Sequence, residues 1–155
     1  MKYHPLHIVF SLLIIVSFLS CSQTKKLQEI KKLQTNFIPQ ELPNVYIGMT
    51  LSELKENRGI QNLSVIQNNF LTIVKEDYGK DSIVMIQYQF SKKYELYEII
   101  IEYDEEVDAK ENFIEKYGPY NNKKEWMFTL NDNMKLKIWV YQNRLCIADS
   151  KHFNN

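Results

Sequence analysis

Three histidines, two cysteines and 19 acidic side chains are the groups in this 155-residue chain that could carry chemistry, and their spacing excludes most of it. His4 and His7 sit in an apolar leader. His152 lies in a polar tail beside Lys151 and Asn154, so acid–base or nucleophilic chemistry lacks its usual partner. The four glycines, Gly48, Gly59, Gly79 and Gly118, are too scattered to form a phosphate-cradling loop, and no serine stands in a G-x-S-x-G setting. Zinc needs clusters of His and Cys that the chain does not have. In DEEVDAKENFIE, residues 104–115, Asp104, Glu106, Asp108 and Glu115 occupy positions 1, 3, 5 and 12 of a calcium-loop template. Ala109 stands where that loop turns on glycine, and the helical periodicity from Val107 to Tyr117 would hold the carboxylates apart. Glu98 and Glu102 could suggest a glycosidase pair, but alternating glutamates are also how one face of a strand is kept in water. The expectation is a protein that is not an enzyme, with no cofactor and no metal.

Cys21 is the exception. It ends a nearly uninterrupted apolar run, Leu6 to Leu19, after which the chain turns polar and basic. At about 14 residues the run falls short of the roughly 20 that cross a bilayer, and it suits the core of a signal peptide. Phe18-Leu19-Ser20-Cys21 resembles the lipobox of bacterial lipoproteins. That resemblance implies cleavage before Cys21, a diacylglycerol on its thiol and acylation of its amine. Several chains together anchor stably where one holds only marginally. Ser22 occupies the place where aspartate, in enteric bacteria, signals retention in the inner membrane. The expected location is therefore the outer membrane, lipid-anchored, on the periplasmic side. A plain secretory leader or a short membrane anchor is the competing reading of the same run.

These residues imply an organisation. Residues 1–20 form the signal peptide, 21–44 a lipid-anchored tether, 45–150 a globular domain and 151–155 a tail. Charges balance, 19 basic against 19 acidic, so no global field selects nucleic acid. Cys146, within Leu145-Cys146-Ile147-Ala148, reads as a buried thiol. In the tether, Leu27, Ile30, Leu33 and Phe37 make one helical stripe among Lys25, Lys26, Lys31 and Lys32, and Pro39 and Pro43 end it. Such a helix could rest on anionic headgroups. The simpler reading is a solvated linker, partly helical or packed on the domain.

The domain opens at YIGMTLSELKENRG, Tyr46 to Gly59. Thr50 and Glu53 make a capping box, Met49 and Leu54 a staple, and Gly59 a stop, predicting a helix over 51–58. Strands are predicted at Phe70–Glu76, Ile83–Phe90 and Leu96–Tyr103, with Val84, Ile86, Tyr88 and Phe90 on one face of the second. A second helix, capped by Asp104, ends at Gly118-Pro119, and strands Glu125–Leu130, Met134–Tyr141 and Leu145–Asp149 follow. One helix followed by three strands thus occurs twice. The expected fold class is α+β in two layers, a mostly antiparallel sheet with two helices on one face.

Gly48-Met49-Thr50 with Glu53 and Gly59 resembles the opening of the SmpA/OmlA family, the BamE-like lipoproteins, whose domains begin at a G-M-T-x-x-[EQ]-[VL] helix start. Tyr117-Gly118-Pro119 leading to Trp126 looks like the helix, G-x-P and tryptophan-bearing strand of the same broad superfamily. The resemblance implies a small envelope lipoprotein that binds other proteins and performs no chemistry, with an envelope protein as partner. A surface-exposed adhesin or inhibitor aimed at a host or foreign protein is the alternative.

Where such a partner would bind follows from strand Met134–Tyr141. If Met134, Leu136, Ile138 and Val140 face the core, Lys135, Lys137, Trp139 and Tyr141 project from the other side as an aromatic and basic patch.

Overall fold

The computed structural model describes residue 25 and residues 28–132 and 134–152. The expected signal peptide, Cys21 as the expected lipidation residue, and Leu27 lie outside them. Helix α1 (28–34) leads through a connector to α2 (Leu51–Arg58). Strands β1 (Leu63–Gln67), β2 (Thr72–Lys80), β3 (Ile83–Phe90) and β4 (Leu96–Tyr103) follow. Then come α3 (Ala109–Tyr117), β5 (Trp126–Asn131), β6 (Met134–Tyr141), β7 (Arg144–Asp149) and a 3₁₀ turn, Ser150–His152. The seven strands make one antiparallel sheet ordered β1-β2-β3-β4-β7-β6-β5, so two meanders meet at the β4–β7 pair. The fold is α+β.

One face of this sheet is the core. In register across the strands, Val74, Tyr88, Ile99, Ile147, Ile138 and Trp126 form a row with no exposed surface. Burying each such side chain is worth about 1.5–3 kcal/mol. The helices pack on this side. Arg58 of α2 bonds Glu76, in the adjacent row, while Tyr117 of α3 meets the Trp126 ring edge-on at 5.4 Å. The Trp126 indole donates to Gly118 O at 2.8 Å, so its one polar atom is satisfied.

Local chemistry explains the helices. Thr50 Oγ1 accepts from Glu53 N at 3.2 Å while Glu53 Oε2 accepts from Thr50 N at 2.7 Å, the complete capping box, and Met49 and Leu54 are both fully buried. The second helix corrects the expectation. Its cap is Asp108, which accepts from Glu111 N at 2.9 Å, not Asp104. Residues 104–107 instead close a turn through Val107 N to Asp104 O at 3.0 Å, which leaves Glu105 and Glu106 outside the first helical turn.

Four further differences have physical causes. β1 was not anticipated, and Phe70 lies in the β1–β2 turn rather than in a strand, so the first meander has four strands. β2 runs on to Lys80 because Asp81 and Ser82, both at positive φ, supply the tight turn. A register shift between Ile83 and Met85 places Ile83 in the core and leaves Val84 exposed. The tether boundary at residue 44 falls inside packed chain, since Ile38 and Leu42 are core residues. Gln34, fully buried, closes two bonds with Ile47, donating to its carbonyl at 3.1 Å and accepting its N–H at 2.7 Å. Phe37 stacks on Phe128 with centroids 4.4 Å apart. Ile30, Leu33 and Phe37 are half-buried, the stripe packed on the domain.

Candidate protein-binding face

Strand alternation sends every second residue to the face opposite the helices. On β6, Leu136 and Ile138 are fully buried in the core, which turns Lys135, Lys137, Trp139 and Tyr141 outward. The four residues expected to form a patch therefore do lie together on the outer face. Lys135 is exposed, Lys137 and Trp139 are half-buried, and Tyr141 is 61% exposed. The Lys137 ammonium bonds Glu125 at 2.7 Å and stands 5.5 Å from the Trp139 ring centroid, which holds both side chains in place.

The patch continues across β7 and β4. Trp139 pairs with Cys146, which pairs with Ile100, and Lys137 pairs with Ala148, which pairs with Glu98. Beyond them, Arg144 bonds Glu102 at 3.1 Å beside Tyr141. Here another expectation is corrected: Glu98 does not stand in water. It is 6% exposed, because β4 is the central strand and its neighbours close over it. Between Leu96 and Glu98 the register shifts, and Tyr97 projects from this bulge to donate its hydroxyl to Gln89 Oε1 at 2.8 Å. The His152 ring lies 4.7 Å from that of Tyr97, so this end of the expected tail is packed on the sheet.

Burial sets the electrostatics of this region. Desolvation raises the Glu98 carboxyl to about 7, far above an ordinary carboxylate. The Cys146 thiol is pushed up to about 12, first by burial and then by the neighbouring Glu98 charge, with Arg144 opposing. A thiol held protonated in this way is not a nucleophile. What the face presents is two aromatic rings, the fixed Lys137, the exposed Lys135 and the apolar Cys146 and Ala148 beside them.

Two features escaped the sequence reading. A cleft of about 490 Å³ lies between α1 and the connector, lined by Lys31, Lys32, Pro39, Tyr46 and Asn57, and the Lys31 ammonium sits 4.2 Å from the Tyr46 ring centroid. Its walls depend on the connector being packed, which no local pattern signals. The second is Glu98, whose burial depends on β7 lying beside β4. Among the described residues no helix is long and apolar enough to cross a membrane. No family model matches this chain, and neither does any curated protein or solved structure.

Proposed function

We propose that this protein is a bacterial envelope lipoprotein, anchored through lipid on Cys21, that serves as a non-enzymatic accessory module by binding another envelope protein. The apolar run ending at Phe18-Leu19-Ser20-Cys21 supports the anchor, and the likeness of the Gly48-Met49-Thr50 helix start to BamE-like lipoproteins supports the class. The observation that carries the binding role is the one-sided sheet. Side chains of α2 and α3 pack on the core face, Arg58 against Glu76 and Tyr117 against Trp126, while the other face carries Lys135, Lys137, Trp139 and Tyr141 in one row. Near-neutral charge argues against a nucleic-acid partner.

Three measurements test this. Incorporation of labelled palmitate in cells should disappear in Cys21→Ser, and persistence of label in that variant would end the lipoprotein reading. Crosslinking in intact cells, followed by mass spectrometry, should recover an envelope protein with the wild-type chain and markedly less with Trp139→Ala. Recovery of no envelope partner would overturn the accessory role. Protease added to intact cells should leave a periplasmic module untouched, and digestion would point instead to a surface-exposed adhesin.

A further inference from the structure

The sheet treats its two edges differently. At β5, the Asn121 side chain covers the edge, since its amide accepts from Met127 N at 2.7 Å and donates to Met127 O at 3.1 Å. The Met127 N–H and C=O, two of the backbone groups that could recruit another strand, are thereby occupied. At β1 no side chain does this among the described residues. Asn68 N donates to Leu71 O at 3.1 Å, and the ladder alternates from that bonded pair. Ile66 with Ile73 and Ser64 with Lys75 are then the bonded pairs, and the N–H and C=O groups of Val65 and Gln67 point away from β2. So does the Leu63 carbonyl, while the Leu63 N–H is taken by Ile60 O at 3.3 Å. β1 itself, Leu-Ser-Val-Ile-Gln, carries no charge and no proline, the usual devices that keep an edge from pairing.

Exposed apolar side chains gather at the same edge. Ile60 and Phe70, at 72% and 74%, are the most exposed large hydrophobics among the described residues, and Val65 and Ile66 are exposed between them. The four lie within eleven residues of chain centred on Val65, and Ile60 and Phe70 are each five residues from it.

We propose that β1 pairs antiparallel with β1 of a second copy of this chain about a two-fold axis through Val65. In that register Val65 N–H donates to the carbonyl of the partner's Val65, and the reverse bond forms by symmetry. Gln67 N–H reaches the carbonyl of the partner's Leu63. The end of β1 that bears Ile60 comes beside the partner's turn that bears Phe70, so the two most exposed apolar side chains cover one another at both ends. An uncharged strand meets its own copy without like-charge repulsion, and a self-complementary patch is what a closed two-fold dimer requires. The seven-stranded sheet becomes one continuous sheet across two chains. This inference does not depend on the lipid anchor or on a partner at the outer face.

The full chain carrying Val65→Cys tests it. Across the axis the two Cα atoms of a bonded pair stand about 5.5 Å apart, within the roughly 4.4–6.8 Å span of a disulfide. Mild oxidation should link most of the protein into a dimer on a non-reducing gel, with the unsubstituted chain, which retains Cys21 and Cys146, as background. Val65→Pro removes the N–H aimed at the partner and none bonded to β2, so the intrachain ladder survives. Sedimentation in mild detergent should show a dimer for the unsubstituted chain and at least a tenfold weaker association for Val65→Pro, with the thermal melt little changed. Should Val65→Pro fail to fold, the cross-link through position 65 decides alone. A monomeric unsubstituted chain, or a dimer that neither links through position 65 nor weakens in Val65→Pro, overturns the proposal.

Discussion

Arg58, the last residue of α2, holds Glu76 of β2 through two parallel bonds, Nη2 to Oε1 at 2.8 Å and Nε to Oε2 at 3.0 Å, and the Tyr88 hydroxyl donates to the same Oε2 at 2.7 Å. Arg58 Nη1 also reaches the Glu41 carbonyl at 3.4 Å, so a single guanidinium ties helix, sheet and connector together. Both charged side chains are almost wholly buried. A buried pair contributes little over an apolar replacement, but removing one partner strands the other charge. Arg58→Ala should therefore cost about 3–5 kcal/mol, read as a shift in the urea midpoint. The double variant Arg58→Met with Glu76→Leu should recover only part of that loss, because it removes the stranded charge but leaves the buried Tyr88 hydroxyl without its acceptor. A loss under about 1 kcal/mol for Arg58→Ala, the range of an exposed pair, would mean that water reaches Glu76.

Glu98 gives a pH dependence of unusual sign. Its folded-state pKa, about 7, lies above the ordinary value of 4.5, so between these limits the folded chain binds more protons than the unfolded one. The associated stability is present at low pH and is lost as pH rises from about 4.5 through 7. Glu98→Gln keeps the shape and cannot ionise. The variant should gain on the order of 1–3 kcal/mol at pH 8, where the native carboxylate is charged and desolvated, and little at pH 4.5. Urea melts of both proteins at the two pH values measure it, and an equal difference at both would contradict the assignment.

Patterns that are local in sequence were readable, and relations between distant strands were not. Alternation, strict in β6 and looser in β3 and β4, gave these strands the bounds Met134–Tyr141, Ile83–Phe90 and Leu96–Tyr103, and the Thr50–Glu53 box gave α2 its bounds. β1 has no alternation to read, because as an edge strand it exposes residues on both faces. Glu98 looks like a solvent-facing residue until β7 is set beside β4, and no feature near residue 98 specifies that neighbour. The outward direction of Trp139 needed only the alternation of its own strand. That is why the patch on β6 could be anticipated, while its extension over Cys146, Ala148 and Glu98 could not.

The start of α3 separates two aspartates that look alike in sequence. Asp108 accepts the Glu111 N–H and Asp104 caps nothing. Asp108→Ala should cost about 1 kcal/mol through loss of the cap. Asp104→Ala should change stability by no more than about 0.5 kcal/mol, since the Asp104 contacts run through its backbone, whose N–H donates to Ser82 O and whose carbonyl accepts from Val107 N and from the Asn143 side chain. Thermal melts of the two variants side by side would show whether the helix begins where the structure has it.

Tyr141 allows binding at the outer face to be separated from folding. It is 61% exposed and follows the hairpin's last core-facing residue, Val140, so its ring supports little of the fold. Trp139 is half-buried and held beside Lys137, so removing it disturbs both surface and structure. Tyr141→Ala should leave the urea midpoint within about 0.5 kcal/mol of wild type. If the face binds a partner, the same variant should still weaken capture of that partner about fivefold or more, as loss of about 1 kcal/mol at an interface does. Full capture by Tyr141→Ala together with loss in Trp139→Ala would confine the contact to the β6 centre. Full capture by both would remove this face from consideration.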